Sequence, residues 1–425
     1  MKFTVRLAFM LAVGGLSLTG MAHSADYWVG RRGNDRQQGG SRTRPWASLQ
    51  FTADHVKAGD SVHVLDGDYV GFDLRTGGNR ESPIRFIAEG RNVKITRPNG
   101  RTPDGINVEG AGYVVIEGFI VNEMPRAGVR GAGSPHLTIR RVRADRNGVW
   151  GIFTGFCDDL AVIDNLASNS VKEHGIYVSN SADRPIIRGN VSWGNRQCGI
   201  HMNGDVSQGG DGNISEALVE NNIIFGNGRG GGSGINCDGV QESIFRNNLL
   251  YDNHASGISL YRINSAAGSK NNRIINNTIL MAGNGRWAIN IGSRSTGNVV
   301  WNNILLNNNP SRGCINIEAE SLVGFHSDFN IVVDRFSPDG DHTVSLKQWQ
   351  SKTGLDCHSR VATPQELFLK IAVGDYHLRA DAPAIDAADP SLATQNDLEG
   401  RPRPFGARPD IGAFEWRGTP APGGD

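Results

Sequence analysis

The sequence predicts an all-β solenoid, a single coil of short parallel strands, and three observations support this. A segment of about 23 residues recurs through the middle of the chain, and a repeat of this length is typical of solenoids. Glycine accounts for 56 of the 425 residues, nearly twice its ordinary share of about 7%. Asparagine is concentrated, since 30 of the 37 lie between Asn147 and Asn330. The chain therefore uses asparagine periodically.

Each repeat, or rung, typically begins with a small residue that is followed by an apolar, a variable and an apolar residue. This alternation has the period of two expected of a strand. Successive starts are 23, 23, 24, 24, 35, 23, 31 and 26 residues apart, which is a fixed period with two insertions. A second apolar strand recurs half a rung later, and no rung has room for a helix. The rungs start at Gly105, Gly128, Gly151, Gly175, Gly199, Gly234, Gly257, Ala288 and Cys314.

Asparagine marks two corners of the rungs. One set directly follows the second strand, and the other lies four residues before the next rung. Asparagine tolerates a left-handed backbone and bonds to nearby backbone groups, so we expect tight corners that stack into ladders. The first set is Asn165, Asn190, Asn222, Asn248, Asn277 and Asn303. The second set is Asn147, Asn195, Asn253 and Asn284.

The N-terminus has the pattern of a secretory signal peptide. Lys2 and Arg6 precede an apolar stretch from Leu7 to Leu18, which is shorter than the ~20 residues of a membrane span. Small residues follow at a plausible cleavage site. We therefore predict a signal peptide over residues 1–24, a secreted or periplasmic protein, and no membrane span in the mature chain.

Composition and charge narrow the class of protein further. The 43 basic residues balance 43 acidic ones, 20% of residues are charged and the mean hydropathy is −0.35. These values exclude a membrane-embedded body and give no sign of a nucleic-acid partner. The five cysteines are too few for a disulfide scaffold, and their odd number leaves at least one unpaired in the monomer that we expect.

The ends of the chain differ from the rungs. Tyr27-Trp28-Val29 and Pro45-Trp46 precede the first strands, and residues 409–416 form an apolar closing segment. With the rungs, these features resemble the pectate-lyase-like superfamily, and within it the secreted bacterial β-helix-repeat proteins. The resemblance implies a single-stranded right-handed parallel β-helix over residues 60–335. An N-terminal cap would occupy residues 25–59.

A C-terminal capping segment is predicted over residues 336–416. Within it, residues 345–350 and 363–369 have the pattern of two short helical turns, the second with Pro364 in its first turn. We expect them to cover the exposed last strand of the coil. Residues 417–425 are predicted to be a disordered tail.

The resemblance also implies an acidic polysaccharide as the substrate, without identifying a reaction. The arrangement of polygalacturonase-like hydrolases, an Asn-Thr-Asp followed by a paired-Asp motif and a Gly-His-Gly, is absent, and Glu173-His174-Gly175 matches it only in part. The Trp-Ile-Asp-His strand of pectate lyases is absent, as is the Tyr-Gly-Phe-Asp-Pro-His signature of alginate epimerases.

The variable strand positions predict two outward rows of side chains, because alternate residues of a strand face opposite sides. Neighbouring rungs lie ~4.8 Å apart, so four rungs form a band about 15 Å long, the length of a few sugar units. Insertions at 204–213 and 264–270 follow these strands and are expected to wall a groove. The candidate residues are His174, Tyr177, His201, Asn203, Asp205, Asn236, Asp238, Ser259, Tyr261 and Arg262.

The same register predicts which side chains fill the coil. The apolar residues that alternate with the candidate row are expected to be buried, and a slip of one residue would exchange the two sets. They are Ile176, Val178, Ile200, Met202, Ile235, Cys237, Ile258 and Leu260.

The first functional hypothesis is a polysaccharide lyase that cleaves a uronate-containing glycan by β-elimination. This reaction needs a base for the C5 proton, an acid for the leaving oxygen and neutralisation of the substrate carboxylate. His201 is the candidate base, and Tyr177 or Tyr261 the base or acid. Arg262, with Asn203 and Asn236, would bind the carboxylate. His174, Asp238 and Ser259 are further candidates for contacts to substrate.

Two alternatives remain open. A glycoside hydrolase would use two carboxylates among Asp205, Asp211 and Asp238, separated by ~5–5.5 Å or ~6.5–9.5 Å. The same three aspartates are the candidate ligands of a calcium ion, although no calcium-loop spacing is present. A non-catalytic β-helix that only binds glycan is the other alternative.

Overall fold

The computed structural model describes residues 24–36, 39–340 and 342–418, and it shows a coil of three parallel sheets. Each turn contributes one strand to each sheet, so neighbouring strands are one turn apart in sequence. The all-β parallel solenoid is confirmed. Nearly all of the predicted signal peptide, and the predicted tail after residue 418, lie outside the described residues.

The first sheet holds the strands that start each rung. Its ten strands are Phe72–Leu74, Ile106–Glu109, Ala127–Ala132, Trp150–Gly155, Ile176–Ser179, Ile200–Asn203, Ile235–Asp238, Ile258–Tyr261, Ile289–Ile291 and Ile315–Ile317.

The second sheet holds the other predicted strand of each rung. Its twelve strands are Asp26–Val29, Ser61–Val64, Ile84–Ala88, Val114–Glu117, Thr138–Arg140, Ala161–Ile163, Ile186–Arg188, Leu218–Glu220, Ile244–Arg246, Arg273–Ile275, Val299–Trp301 and His326–Asp328.

The third sheet was not predicted. Its twelve strands are Gly67–Val70, Val93–Arg97, Ile120–Asn122, Arg143–Asp145, Leu166–Ser168, Val191–Trp193, Ile223–Phe225, Leu249–Tyr251, Thr278–Met281, Ile304–Asn307, Ile331–Val332 and Arg360–Val361.

Short elements complete the fold. The α-helices are Leu49–Ala53, Leu346–Thr353 and Pro364–Leu367, and the 3₁₀ turns are Val206–Gln208, Ala319–Ser321 and Ile371–Val373. Two small sheets pair Ile214–Ser215 with Val240–Gln241 and, antiparallel, Phe368–Lys370 with Asp375–Leu378.

Each turn therefore has three strands where the sequence predicted two. The second and third strands are separated by only two residues, as at Asp164 and Asn165 between Ala161–Ile163 and Leu166–Ser168. A bend of two residues leaves no gap in the apolar pattern of the sequence. The second and third strands of a turn were therefore predicted as a single strand.

The predicted register is confirmed by the core. All eight apolar residues predicted to alternate with the candidate row have no exposed surface. Burial of each large apolar side chain contributes about 1.5–3 kcal/mol, which fixes the register of the strands.

The asparagine ladder of the first set is confirmed. The Asn222 side chain donates to the Ile187 carbonyl oxygen of the previous turn and to Oδ1 of Asn248, which in turn donates to Oδ1 of Asn277. These amides are fully buried. The left-handed residue, however, is the one before each ladder asparagine, as at Asn221 with φ 56°. The corner bends there, and the following side chain points inward.

The second set is confirmed only in part. Asn195 donates to Asn227, and Asn227 to Asn253, so Asn227 is a ladder member that the sequence spacing missed. Glycines 230–232 lengthen that turn and displace Asn227 from the expected position. Asn284 lies outside the ladder, and its side chain instead contacts His254 at 2.7 Å.

The C-terminal segment first closes the coil. The helix Leu346–Thr353 places the fully buried Trp349 against Phe336, with ring centroids 5.1 Å apart. The Trp349 indole N–H donates to buried Asp356 at 2.9 Å. Both predicted helical turns are present, and each begins with a capping box, at Ser345 and at Thr363.

The rest of this segment runs back along the third sheet, which the sequence did not predict. There it covers an apolar outer face that includes Leu249, Leu280 and Ile304. The corner residues Asn276 and Asn302 donate to its backbone at 3.1 and 2.9 Å. This segment therefore covers the outer face of the third sheet and leaves the outer face of the first sheet uncovered.

All five cysteines carry free thiols, four of them buried and Cys357 exposed. Within the described ranges, the helices are too short or too polar for any of them to cross a membrane.

Candidate functional site

The first sheet carries the predicted outward row in one register. Tyr177 pairs with His201, His201 with Asn236, and Asn236 with Ser259 on consecutive strands. The parallel row in the same strands contains Asn203, Asp238 and Tyr261. The structure therefore brings the sequence-predicted candidates together on one face.

The expectation that these positions face water is wrong for several of them. His201 is 9% exposed and Ser259 5% exposed. Neighbouring aromatic rings cover His201, with the centroids of Tyr177 and His174 4.8 and 4.7 Å away. Strand alternation predicts the direction of a side chain but not what packs over it.

His201 makes its hydrogen bonds within the described part of the chain through one ring nitrogen, Nδ1. Its Nδ1 lies 3.2 Å from the backbone carbonyl oxygen of Asn236 and 3.0 Å from the Asn236 side-chain amide. A carbonyl oxygen only accepts, so a hydrogen bond to it requires the proton on Nδ1, and in that tautomer Nε2 carries the lone pair. Among the residues that the structure describes, Nε2 has no hydrogen-bond partner.

The Asn236 amide links His201 to Tyr261. Its nitrogen is placed 2.6 Å from the Tyr261 hydroxyl and 3.0 Å from His201 Nδ1. Amide nitrogen and oxygen exchange places when the group turns by half a rotation. With the oxygen there, Asn236 accepts from both Nδ1–H and the tyrosine O–H, which agrees with the proton on Nδ1.

Burial sets the protonation of this network. It lowers the pKa of His201 to about 4, although the backbone oxygen of Asn236 and the charge of Asp238 oppose the change. The imidazole is therefore neutral near pH 7. Burial also raises the pKa values of Tyr177 and Tyr261, so both hydroxyls keep their protons. A neutral base thus lies between two phenolic acids.

His174 supports His201. Its Nδ1 accepts from the backbone N–H of Cys198 at 3.2 Å, so it caps a turn, and its Nε2 lies 3.5 Å from Glu173. The ring is 6% exposed and packs edge-on against Tyr177. Burial, and then the neighbouring His201, lower its pKa well below the ordinary value. These contacts hold the His174 ring against His201 and Tyr177.

Asp238 belongs to loop structure. It is 1% exposed and accepts from the backbone N–H groups of Ile263 and Asn264 at 2.8 Å and from the Ser265 hydroxyl at 2.6 Å. Its oxygens are occupied by the loop that follows Tyr261. The sequence assigned Asp238 to substrate or metal, but these contacts anchor the loop.

Asp205 and Asp211 also serve their own loop. Asp205 caps the turn Val206–Gln208 by accepting from Ser207, and Asp211 accepts from the backbone of Asn213. Within the described part of the chain, three or more His, Cys, Asp or Glu side chains nowhere form a group that could hold a metal ion. The three aspartates do not fit the calcium site that the sequence suggested.

The two insertions pack against each other beside the row. The backbone N–H of Val206 donates to Asn264 at 3.1 Å, and that of Ala266 donates to Gly212 at 3.0 Å. Arg262, at the start of the second insertion, is exposed and donates through Nε to the Ser265 carbonyl at 3.2 Å. The Asn203 amide donates to the Tyr177 hydroxyl at 3.2 Å.

A groove of about 660 Å³ extends from this network towards the C-terminal end of the coil. Asn236, Ser259 and Tyr261 line one end. Arg286 and Arg312 line the other end, and the sequence reasoning missed both. Each lies two residues before the start of its rung, a position that forms a third column which strand alternation does not address.

The comparisons with known proteins address the fold. The family described as the right handed beta helix region matches residues 59–208 and 168–336, more than half of the chain. The chain belongs to the right-handed beta helix family. No curated protein sequence matches it.

Solved structures show the same fold at low sequence identity. Pectate lyase Pel9A is 17% identical with a TM-score of 0.66, over 94% of this chain and 98% of that chain. A rhamnogalacturonan lyase is 16% identical with a TM-score of 0.53, over 66% and 82%. An alginate lyase from Paenibacillus sp. str. FPU-7 is 19% identical with a TM-score of 0.51, over 63% and 93%.

Proposed function

We propose that this protein is a polysaccharide lyase that cleaves a uronate-containing glycan by β-elimination. The observation that carries the proposal is the geometry of the outward row, in which His201 pairs with Tyr177 and Asn236 on consecutive strands and Asn236 contacts Tyr261. His201 presents an Nε2 lone pair without a partner among the described residues, and two protonated tyrosines lie on the same face. A base and an acid in complementary states are what proton abstraction and leaving-group protonation need.

In this proposal, His201 Nε2 removes the C5 proton of the uronate. The C5 electron pair forms the C4–C5 double bond as the C4–O bond breaks, and a tyrosine hydroxyl protonates the departing oxygen. The Nδ1–H donated to the Asn236 carbonyl holds the ring while Nε2 accepts the proton. A bound carboxylate favours the imidazolium and so raises the pKa of His201 towards neutrality.

The tyrosine is assigned as the acid. A tyrosine base would need a lowered pKa, whereas burial raises the pKa values of both Tyr177 and Tyr261. Tyr261 lines the groove, and its hydroxyl is linked through Asn236 to the base. Arg262 and the amide of Asn203 remain the candidates for neutralising the reacting carboxylate.

Three of the similar structures are lyases by name, for pectate, rhamnogalacturonan and alginate. They support a carbohydrate substrate class for this fold. The predicted signal peptide supports export to the periplasm or beyond, which cell fractionation tests.

The direct experiment incubates the purified protein with polygalacturonate, rhamnogalacturonan, alginate and other polyuronates and follows the ultraviolet absorbance of unsaturated products. We expect product from at least one substrate and none from His201→Ala. His326→Ala is the matched control, since His326 is exposed on a strand of the second sheet. Binding without any unsaturated product would favour a binding protein, and new reducing ends without double bonds would favour a hydrolase.

A further inference from the structure

The C-terminal end of the groove carries two arginines without acidic partners in the described part of the chain. Arg286 and Arg312 both line it. In the described ranges, neither guanidinium forms an ion pair, and none of the groove-lining residues is acidic. Guanidinium groups favour planar bidentate partners such as carboxylates. The charge of this end is therefore complementary to an anionic ligand.

An unused acceptor lies in the same place. Asn316 is 7% exposed, lines the groove and donates its amide to Oδ1 of Asn290 at 2.8 Å. Its own Oδ1 is buried, and among the described residues it has no hydrogen-bond partner. A buried acceptor without a donor costs free energy, which a ligand hydroxyl would recover.

The two arginines differ in their exposure and in the contacts of their guanidinium groups. The Arg312 guanidinium lies over the Trp287 ring, 5.8 Å from its centroid, and Trp287 is 5% exposed. The buried indole therefore holds one cation over a fixed surface. Arg286 is exposed and lines the rim of the groove.

The distance from the proposed catalytic network identifies the part of the substrate involved. Asn290 and Asn316 pair in register three and four rungs beyond His201. At ~4.8 Å per rung this is roughly 14–19 Å, several sugar units away from the cleaved bond. A glycan lying along the coil axis would reach both places at once.

We propose that Arg286, Arg312 and Asn316 form a distal subsite for an acidic sugar of the same glycan chain. The two guanidinium groups bind its carboxylate, and the Asn316 oxygen accepts from one of its hydroxyls. The identity of the ligand as the lyase substrate rests on the proposed function. The binding of an acidic sugar at this place does not depend on it. It gives the protein a preference for acidic chains that are long enough to span from His201 to Asn316.

The test measures binding of oligouronates by calorimetry in the full-length mature chain carrying His201→Ala, so that no turnover occurs. Arg286→Gln and Arg312→Gln are each expected to weaken binding of a long oligouronate about tenfold, the effect of losing one charge-assisted bond. A chain too short to span the roughly 19 Å should be affected less. Arg273→Gln is the matched control, since Arg273 is exposed on the second sheet of the same turn.

Two further ligands distinguish recognition of carboxylates from recognition of other groups. A carboxyl-reduced oligosaccharide should bind weakly and should not respond to the arginine variants. A sulfated neutral oligosaccharide that binds as tightly as the uronate and responds equally would overturn the assignment to carboxylates. Unchanged uronate binding by both arginine variants, with unchanged melting temperatures, would overturn the subsite itself.

The two proposals fail differently. Arginine-dependent binding of oligouronates without any unsaturated product from the unmodified protein would leave the subsite standing and remove the lyase. Unsaturated product together with arginine-independent binding would do the reverse. In the active protein, the arginine variants should raise KM for long chains more than for short chains.

Discussion

The two ends of the first sheet have the same architecture but differ in whether their arginines are paired with carboxylates. At the N-terminal end, Asp73 is 2% exposed and accepts from Arg75 and from Asn107. Arg130 donates to both Asn107 and Glu109. Each of these polar groups has a partner within the protein, so this end of the row is complete without a ligand.

At the C-terminal end, polar groups of the outward row and of the column of arginines beside it have no partners among the described residues. Arg286 and Arg312 line the groove without forming ion pairs in the described residues, and the buried Asn316 oxygen has no donor there. Strand register alone does not distinguish the ends, since both follow one continuous ladder. The ends differ in whether their polar groups have hydrogen-bond partners among the described residues. This difference favours a binding surface between His201 and Asn316.

The largest expected effect concerns catalysis. His201→Ala should lower kcat about 10²- to 10⁴-fold, the usual contribution of a general base. Arg130→Gln, in the same row at the paired end, should leave kcat within about twofold because its hydrogen bonds go to the neighbouring amide and carboxylate. Steady-state kinetics on the active polyuronate measures both. Equal losses in the two variants would show that the ends do not differ in function.

The second expected effect is a pH dependence of stability. Burial lowers the pKa of His201 from 6.5 to about 4, so between these values the unfolded chain binds more protons than the folded one. Stability should therefore fall as pH drops from 6.5 towards 4, by up to about 3 kcal/mol for this one group. His174 adds to the same effect, since its pKa is also lowered.

The paired end responds in a different pH window. Burial raises the pKa of Glu109, but the hydrogen bonds from Asn107 and Arg130 outweigh this and hold it below 4.5. Its contribution is present above pH 4.5 and is lost only as the pH falls below that value.

Urea unfolding between pH 3 and pH 8 measures the free energy of unfolding as a function of pH. In His201→Asn this free energy should fall less steeply between pH 6.5 and pH 4 than in the unmodified protein. An unchanged pH dependence would mean that His201 is not buried as a neutral ring.

The fold was largely predictable because a solenoid repeats its signal. Nine rung starts and a buried apolar set fixed the strands of the first sheet, and strand alternation placed His201 beside Tyr177 and Asn236. The third sheet was missed because a two-residue bend leaves no mark in the apolar pattern. The return of the C-terminal segment along that sheet depends on contacts between residues more than 80 positions apart.

For the site, the sequence predicted only the face of the coil to which each side chain points. Alternation gives the side to which Asp238 points, but not that three loop donors would occupy its oxygens. Arg286 and Arg312 precede their strands, where no period applies. The repeated offset of two residues before the rung start is the signal that would have found them.

The smallest expected effect compares the two asparagines at opposite ends of one row. Asn107 donates to Asp73 at 2.6 Å and to Glu109 at 3.3 Å, and it accepts from Arg130 at 2.8 Å. Asn107→Ala therefore removes one partner from each of three charged groups. We expect a loss of about 2 kcal/mol in the free energy of unfolding. Asn316→Ala breaks one bond to Asn290 but also removes an unsatisfied oxygen, so its cost should stay within about 0.5 kcal/mol. Urea unfolding midpoints of the two variants decide the matter. If Asn316→Ala is as costly as Asn107→Ala, the Asn316 oxygen has a partner in the free protein, and the two ends of the row do not differ as inferred.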